Sequence, residues 1–203
     1  AESVVIRRSD PERFSTHELA SRALEYEKAI LDSAKHEGVC EAIDLIKSHD
    51  YSWLVLKDYG DKSISDMDDI DELGPALLNA SSGIAYLHSQ GIIHGDITPD
   101  HIVGGRIVDF DSAYHPTLWN QFGQPPFKGL NLGYTPPAYD ESNPQSRYDV
   151  FGFCRSAFEA FQRIGSISDY SEIEKVIRAG MSDDIKNLPT MDEIKNAFEN
   201  AFS

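Results

Sequence analysis

A short hairpin between two aspartate-containing motifs constrains the fold of this chain more than any other feature. Residues 94–96 read His-Gly-Asp, and residues 109–111 read Asp-Phe-Asp. Between them, two Ile/Val pairs flank the glycine pair 104–105, a pattern that is typical of a tight β-hairpin. A hairpin brings its two ends together, so we expect Asp96 and Asp109 to face one another across a single site.

Two facing carboxylates suit the transfer of a phosphoryl group. One of them can accept or orient a hydroxyl proton, while the other holds a divalent metal ion on phosphates. Phosphoryl transfer asks for little covalent chemistry from the protein, so positioning and charge neutralisation are its main tasks. The sequence around the hairpin therefore favours a site for a phosphorylated ligand.

The remaining patterns predict a small sheet followed by a mainly helical segment. Runs rich in β-branched residues predict strands, and apolar residues at helical spacing predict four helices with recognisable ends. We expect strands at 3–8, 39–47 and 51–57, and helices that begin at the Ser15–Glu18 capping box, near Pro75 (ending at Gly91), at Phe151 and at the Thr190–Glu193 capping box. An acidic stretch at 61–72 is expected to be a surface linker, and residues 114–147 a long irregular segment. This order predicts an α+β fold.

The composition excludes several classes of partner. The chain has 34 acidic and 18 basic side chains, and its net charge of −16 opposes binding to nucleic acids and to anionic membranes. We therefore expect no nucleic-acid and no membrane partner, and we favour a protein partner or protein substrate with a basic surface. Cys40 and Cys154 form no metal-spaced cluster and are expected to be buried free thiols. Because the sequence shows neither a signal peptide nor a membrane-spanning run, we expect a cytoplasmic protein.

In its motifs the chain resembles the eukaryotic-type protein kinases. Their catalytic loop reads HRDxxxxN and their metal-binding motif reads DFG, which residues 94–101 and 109–111 resemble. Further segments resemble kinase motifs in the same order, namely VVIR at 4–7, YEKAIL at 26–31, LVLKDY at 54–59, GYTPPAY at 133–139, YDVFGF at 148–153 and NLPTMDE at 187–193. The resemblance implies a bilobal kinase-like fold, with a reduced N-terminal lobe and hinge over residues 1–60 and a mainly helical C-terminal lobe over residues 61–203.

The resemblance also implies roles for individual residues. Asp96 takes the place of the catalytic base, and Arg7 and Glu27 take the places of the family's lysine–glutamate ion pair. The implied cofactors are ATP and either Mg²⁺ or Mn²⁺. The implied metal ligands are Asp109, His101 and Asp111, and the implied wall of the adenine pocket consists of Val5, Leu56, Lys57, Asp58, Tyr59 and Val103.

Two further implied roles are structural. His94 is expected to complete a stacked apolar spine with Leu31, Ile43 and Phe110. Asp149 is expected to hydrogen-bond the backbone of the catalytic loop rather than to touch a substrate.

Several positions depart from the kinase pattern. No glycine-rich loop precedes Val4, arginine replaces the family's lysine at position 7, and His101 replaces its asparagine. The guanidinium fork is not interchangeable with a compact ammonium, and an imidazole suits Mg²⁺ less well than an oxygen ligand does. Asp111 replaces the motif's glycine, so we expect it either to compensate for His101 as a metal ligand or to stiffen the backbone.

The departures leave three functions open. The first is a pseudokinase, which keeps the kinase fold as a regulatory or interaction module with weak or metal-dependent nucleotide binding. The second is an active minimal ATP-dependent phosphotransferase that uses Asp96 as its base and Asp109 as a metal ligand. The third is a decoy that imitates part of a kinase. The HGD segment is also similar to that of the small kinase-like ATPase of the KEOPS complex and to those of aminoglycoside and choline phosphotransferases. The missing loop, Arg7 and His101 favour the pseudokinase.

Overall fold

The structure, a computed structural model, describes residues 3–123, 131–140, 142–165 and 167–202. Its first half consists of β1 (Val4–Arg8), α1 (Pro11–Phe14), α2 (His17–Ser33), β2 (Ala42–Lys47), β3 (Ser52–Lys57) and α3 (Ile70–Ser89). Its second half consists of β4 (Ile102–Val103), β5 (Arg106–Ile107), α4 (Pro116–Gln121), α5 (Ser146–Ile164), α6 (Ser171–Gly180) and α7 (Met191–Phe202). A small sheet, a short hairpin and several helices are compatible with the predicted α+β class.

The larger sheet is antiparallel, with the strand order β1-β3-β2, and α2 packs against it. Leu54 and Leu56 of β3 are buried, because alternate residues of a strand face the same side of a sheet. The register of β2 shifts between Ala42 and Asp44, which leaves Ile43 as an extra residue with 47% of its surface exposed. The expectation that Ile43 belongs to the apolar spine is therefore wrong.

The first long helix starts one residue later than its sequence pattern predicts. The Oγ1 atom of Thr16 accepts a hydrogen bond from the backbone N–H of Leu19, so Thr16 is the N-cap of α2. Ser15 instead ends α1 in the left-handed conformation, with φ of +67°. The predicted Ser15–Glu18 capping box is therefore wrong by one position, although the helix itself is confirmed.

The acidic stretch 61–72 is more than a surface linker. Ile64 and Met67 are buried, and the Ile64 N–H donates to the carbonyl of Ile102 in β4. The helix α3 begins at Ile70, capped by the Asp69 carboxylate, so Pro75 lies inside it instead of at its start. The sequence pattern did not reveal this start, because Asp69 and the acidic first turn of α3 look like the rest of the acidic stretch 61–72.

The helices α3, α5, α6 and α7 pack together around the largest buried side chains. The helix α5 begins at Ser146, five positions before the predicted start. The Thr190–Glu193 capping box is confirmed, since the Thr190 N–H donates to Glu193 and the Glu193 N–H donates to Thr190 Oγ1. The predicted irregular segment 114–147 contains α4, and its part from 124 to 130 and position 141 lie outside the described residues.

The structure also shows the burial of the two cysteines and the length and polarity of the helices. Cys40 and Cys154 are buried free thiols, as predicted. In the described part of the chain, every helix is too short or too polar to cross a membrane.

Candidate functional site

A cavity of about 300 Å³ lies between the β1-β3-β2 sheet and the β4–β5 hairpin. Its walls include the predicted adenine-pocket residues Val5, Leu56, Lys57, Tyr59 and Val103. Asp58 is not among the lining residues; its carboxylate accepts a hydrogen bond from the Gly60 N–H, 2.8 Å away, and shapes the turn there. Cys40, Gly60 and Val108 also line the cavity and were not predicted. Arg7 and Asp109 form its polar end.

Arg7 reaches from β1 into a cluster of three carboxylates. Its Nη1 atom donates to Oε1 of Glu27 at 2.7 Å and to Oδ1 of Asp109 at 2.8 Å. Its Nη2 atom donates to Oδ2 of Asp111 at 3.3 Å. Burial opposes the charge of the guanidinium, but the three carboxylates outweigh that cost and raise the pKa of Arg7. The structure thus brings the implied Arg7–Glu27 pair together with two further acids.

Glu27 is the most deeply buried acid of this cluster. Only 1% of its side chain is exposed, and its Oε2 atom has no hydrogen-bond partner among the described residues. Burial raises the pKa of Glu27 to about 7, against the opposing effect of Arg7. The proton equilibrium of Glu27 therefore lies nearer to neutral pH than that of an ordinary carboxyl group.

Asp109 is held in place by both its backbone and its charge. Its φ of +63° is in the left-handed region, which few residues other than glycine adopt. Burial opposes ionisation, but the charge of Arg7 outweighs it and lowers the pKa of Asp109. Asp109 is therefore an anion at the polar end of the cavity.

His101 lies between the two aspartates of the hairpin. Its Nδ1 atom is 2.6 Å from the carbonyl oxygen of Asp96. Because a carbonyl only accepts, Nδ1 carries the proton in this contact, and a neutral ring has its lone pair on Nε2. That Nε2 atom is 3.6 Å from Oδ2 of Asp109, while Nδ1 is 3.7 Å from Oδ2 of Asp96. Both aspartates therefore lie next to His101.

The donor atoms of the site fit a metal ion only in part. Within the described ranges, no group of three or more His, Cys, Asp or Glu side chains is arranged to hold a metal ion by itself. Asp109 Oδ2 and His101 Nε2 form a mixed oxygen–nitrogen pair, whereas Asp111 accepts from Arg7. Such a pair suits Mn²⁺ or another transition metal better than Mg²⁺, and an ion there needs further ligands such as phosphate oxygens.

The loop that carries Asp96 is anchored from below by Asp149. This fully buried carboxylate of α5 accepts from the backbone N–H groups of His94 and Gly95, both at 2.8 Å, as predicted. His88 of α3 is a third partner, with its Nε2 atom 2.9 Å from Asp149. No sequence motif pointed to His88; its position three residues before Gly91, at the end of α3, was the available signal.

His94 has a structural role next to this anchor. Its ring is fully buried against Phe110, with ring centroids 4.8 Å apart, and its Nε2 atom is 3.0 Å from the carbonyl of Val108. Burial lowers the pKa of His94, so the ring is neutral in the folded protein. Leu31 is also fully buried, which leaves Ile43 as the one misplaced member of the predicted spine.

Comparisons with known proteins point in one direction. No protein-family model matches the chain. A stretch of 99 residues is 26% identical to the serine/threonine-protein kinase PSK1 of Saccharomyces cerevisiae, and it covers 42% of this chain. The PAS domain-containing serine/threonine-protein kinase of Mus musculus is 30% identical over 99 residues, or 43% of this chain. The partial similarity is to serine/threonine-protein kinases. The match spans 7% of the length of each relative, so it suggests a kinase-like relationship and nothing finer.

Proposed function

We propose that this chain has a bilobal kinase-like fold and binds a nucleotide weakly, with the help of a metal ion, as a regulatory or interaction module. The observation that carries the proposal is the set of hydrogen bonds that Arg7 makes to carboxylates. Three of its N–H groups already donate to Glu27, Asp109 and Asp111, so a phosphate of ATP would compete with three carboxylates for the guanidinium. An efficient phosphotransferase needs a cation there that reaches the phosphate groups.

Charge balance explains why the proposed nucleotide binding depends on a metal. Among the described residues, the Arg7 guanidinium contacts three carboxylates, and the Asp96 carboxylate lies beyond His101. A polyanion that enters this site meets like charges in a partly buried, poorly screened position. A divalent ion bound beside the phosphates would reduce that repulsion. We assign Asp109 and His101 as its protein ligands, and the cavity beside Val5, Leu56 and Val103 as the adenine site.

An active phosphotransferase is the second candidate, and one observation favours it. Asp149 hydrogen-bonds the backbone of the loop that carries Asp96, which lies beside His101 with 13% of its side chain exposed. A base and a metal ligand in that arrangement suit transfer to a protein hydroxyl group. In this case Asp96 orients the hydroxyl group, and Arg7 exchanges a carboxylate for a phosphate oxygen.

The kind of partner that we propose follows from the net charge of the protein. With a net charge of −16, the protein is suited to a protein partner or substrate with a basic surface. A cytoplasmic location remains part of the proposal.

A thermal-shift titration tests the proposed nucleotide site. We expect the melting temperature to rise with ATP and Mn²⁺, to rise less with ATP and Mg²⁺, and to stay unchanged with ATP and a chelator. The Asp109→Ala variant should lose the rise, while Asp183→Ala, which removes an exposed acid, should keep it. Absence of any shift at millimolar nucleotide in the wild type would contradict the proposal.

Two further variants separate the metal assignment from catalysis. His101→Asn restores an oxygen ligand, so we expect the preference for Mn²⁺ over Mg²⁺ to shrink or reverse. An unchanged preference would remove His101 from the metal site. Incorporation of labelled phosphate by the wild type, but not by Asp96→Asn, would establish the second candidate function in place of the first.

A further inference from the structure

Two departures from the kinase pattern, Arg7 and Asp111, contact each other in the structure. They are 104 positions apart in sequence, yet Arg7 Nη2 is 3.3 Å from Asp111 Oδ2. The contact joins β1 of the sheet to the short turn that follows Asp109. In sequence they are two separate departures, whereas in the fold they are neighbours.

The geometry shows why the two substitutions belong together. One guanidinium nitrogen, Nη1, serves Glu27 and Asp109, which is the work that a single ammonium could do. The second nitrogen, Nη2, is a donor that a lysine does not have, and it faces a carboxylate that a glycine does not have. Each departure therefore supplies the partner that the other requires.

We propose that Asp111 is a positioning residue, which holds the turn of residues 109–112 closed through the Arg7 fork and so fixes the orientation of Asp109. Asp111 is well placed for this role, because only 7% of its side chain is exposed. Asp109 can benefit from such support, because its left-handed backbone is less favourable for an aspartate than for a glycine. The proposal is independent of nucleotide binding, since it concerns contacts within the chain.

A double-mutant cycle measures the coupling between the two residues. Arg7→Lys and Asp111→Ala should each lower the melting temperature by about 3–6 °C. The double variant should lose no more than the larger of the two single drops, because either change alone already breaks the contact. Drops that simply add would overturn the proposal.

A matched cycle on an exposed ion pair serves as the control. Arg178 and Glu174 on α6 are 2.7 Å apart, with side chains 57% and 28% exposed. The variants Arg178→Lys and Glu174→Ala should change the melting temperature by less than about 2 °C each. A coupling as large as that of the Arg7–Asp111 cycle would show that the effect is not specific to the cleft.

Hydrogen exchange distinguishes a positioning role from a general loss of stability. The Ala113 N–H donates to the carbonyl of Phe110 and so reports on closure of the turn. In Asp111→Ala we expect this amide to exchange about tenfold faster, while amides around Phe153 in α5 keep their wild-type rates. Asp111→Glu, which retains the carboxylate, should restore most of the protection.

Uniformly faster exchange throughout the chain would overturn the positioning role. If Asp111→Ala does not fold, Asp111→Asn keeps the shape of the side chain and allows the same measurement. Faster exchange at Ala113 alone in that variant would support the proposal, and wild-type exchange there would contradict it.

Discussion

The helical region, formed by α3, α5, α6 and α7, and the cleft between the sheet and the hairpin are stabilised by different forces. Phe153, Phe161 and Phe198 of the helical region are fully buried, so burial of apolar surface dominates there. In the cleft, hydrogen bonds from Arg7 to three carboxylates connect β1 with α2 and with the turn of residues 109–112. We therefore expect the stability of the helical region to depend little on pH, and the stability of the cleft to depend on it more strongly.

The largest expected effect lies in the helical region. Phe198→Ala removes a fully buried ring that contacts Phe153, Phe161 and Phe202, and we expect a loss of about 3–5 kcal/mol in the free energy of unfolding. Urea denaturation measures the loss. Leu132→Ala, at a side chain that is 85% exposed, is the control and should change stability little. A Phe198→Ala loss below about 1 kcal/mol would break the comparison.

The next largest effect is expected at Asp149, where the helical region supports the cleft. Asp149→Asn places an amide N–H₂ group against a backbone N–H donor, so we expect a loss of about 2–3 kcal/mol. Asp192→Asn, at an exposed acid of α7, is the matched control. Urea denaturation of both variants checks this. Equal stabilities would mean that the loop of Asp96 does not depend on this anchor.

A smaller and pH-dependent effect is expected at Glu27. Its pKa is raised from 4.5 to about 7, so the folded state binds the proton more tightly than the unfolded state does. The contribution of Glu27 to the free energy of unfolding therefore falls as the pH rises from about 4.5 to 7. Glu27→Gln should reduce that fall, which denaturation at several pH values measures. A difference between wild type and variant that is constant with pH would exclude the raised pKa.

The smallest effect is expected on the outer face of the sheet. Ile6 is 59% exposed, so Ile6→Thr should change the free energy of unfolding by no more than about 0.5 kcal/mol. Leu54→Ala, at a fully buried position of the neighbouring strand, should cost several times more. A large loss for Ile6→Thr, measured by the same denaturation method, would show that this face is covered in solution.

Local sequence patterns predicted the strands and the helices α2, α3, α5 and α7, but they missed α1, α4 and α6 and predicted poorly the positions that depend on distant contacts. The β4–β5 hairpin follows from its glycine pair, and the α7 cap from Thr190 and Glu193, because both are decided by neighbours in sequence. The bulge that exposes Ile43 depends on how β2 pairs with β3. The burial of Ile64 depends on β4, which lies almost 40 positions further along the chain.

The same distinction between what sequence decides and what distant contacts decide applies to the candidate site. The sequence by itself determined which groups are present: the acids at 96, 109 and 111, the histidine between them and the arginine near the start. Only the tertiary structure decided that the Arg7 fork bonds Glu27, Asp109 and Asp111 together. The reason is physical, since a side chain's charge is fixed by its chemistry, whereas its partner is fixed by which elements fold against it. Whether Arg7 meets a phosphate or a carboxylate is therefore a property of the fold.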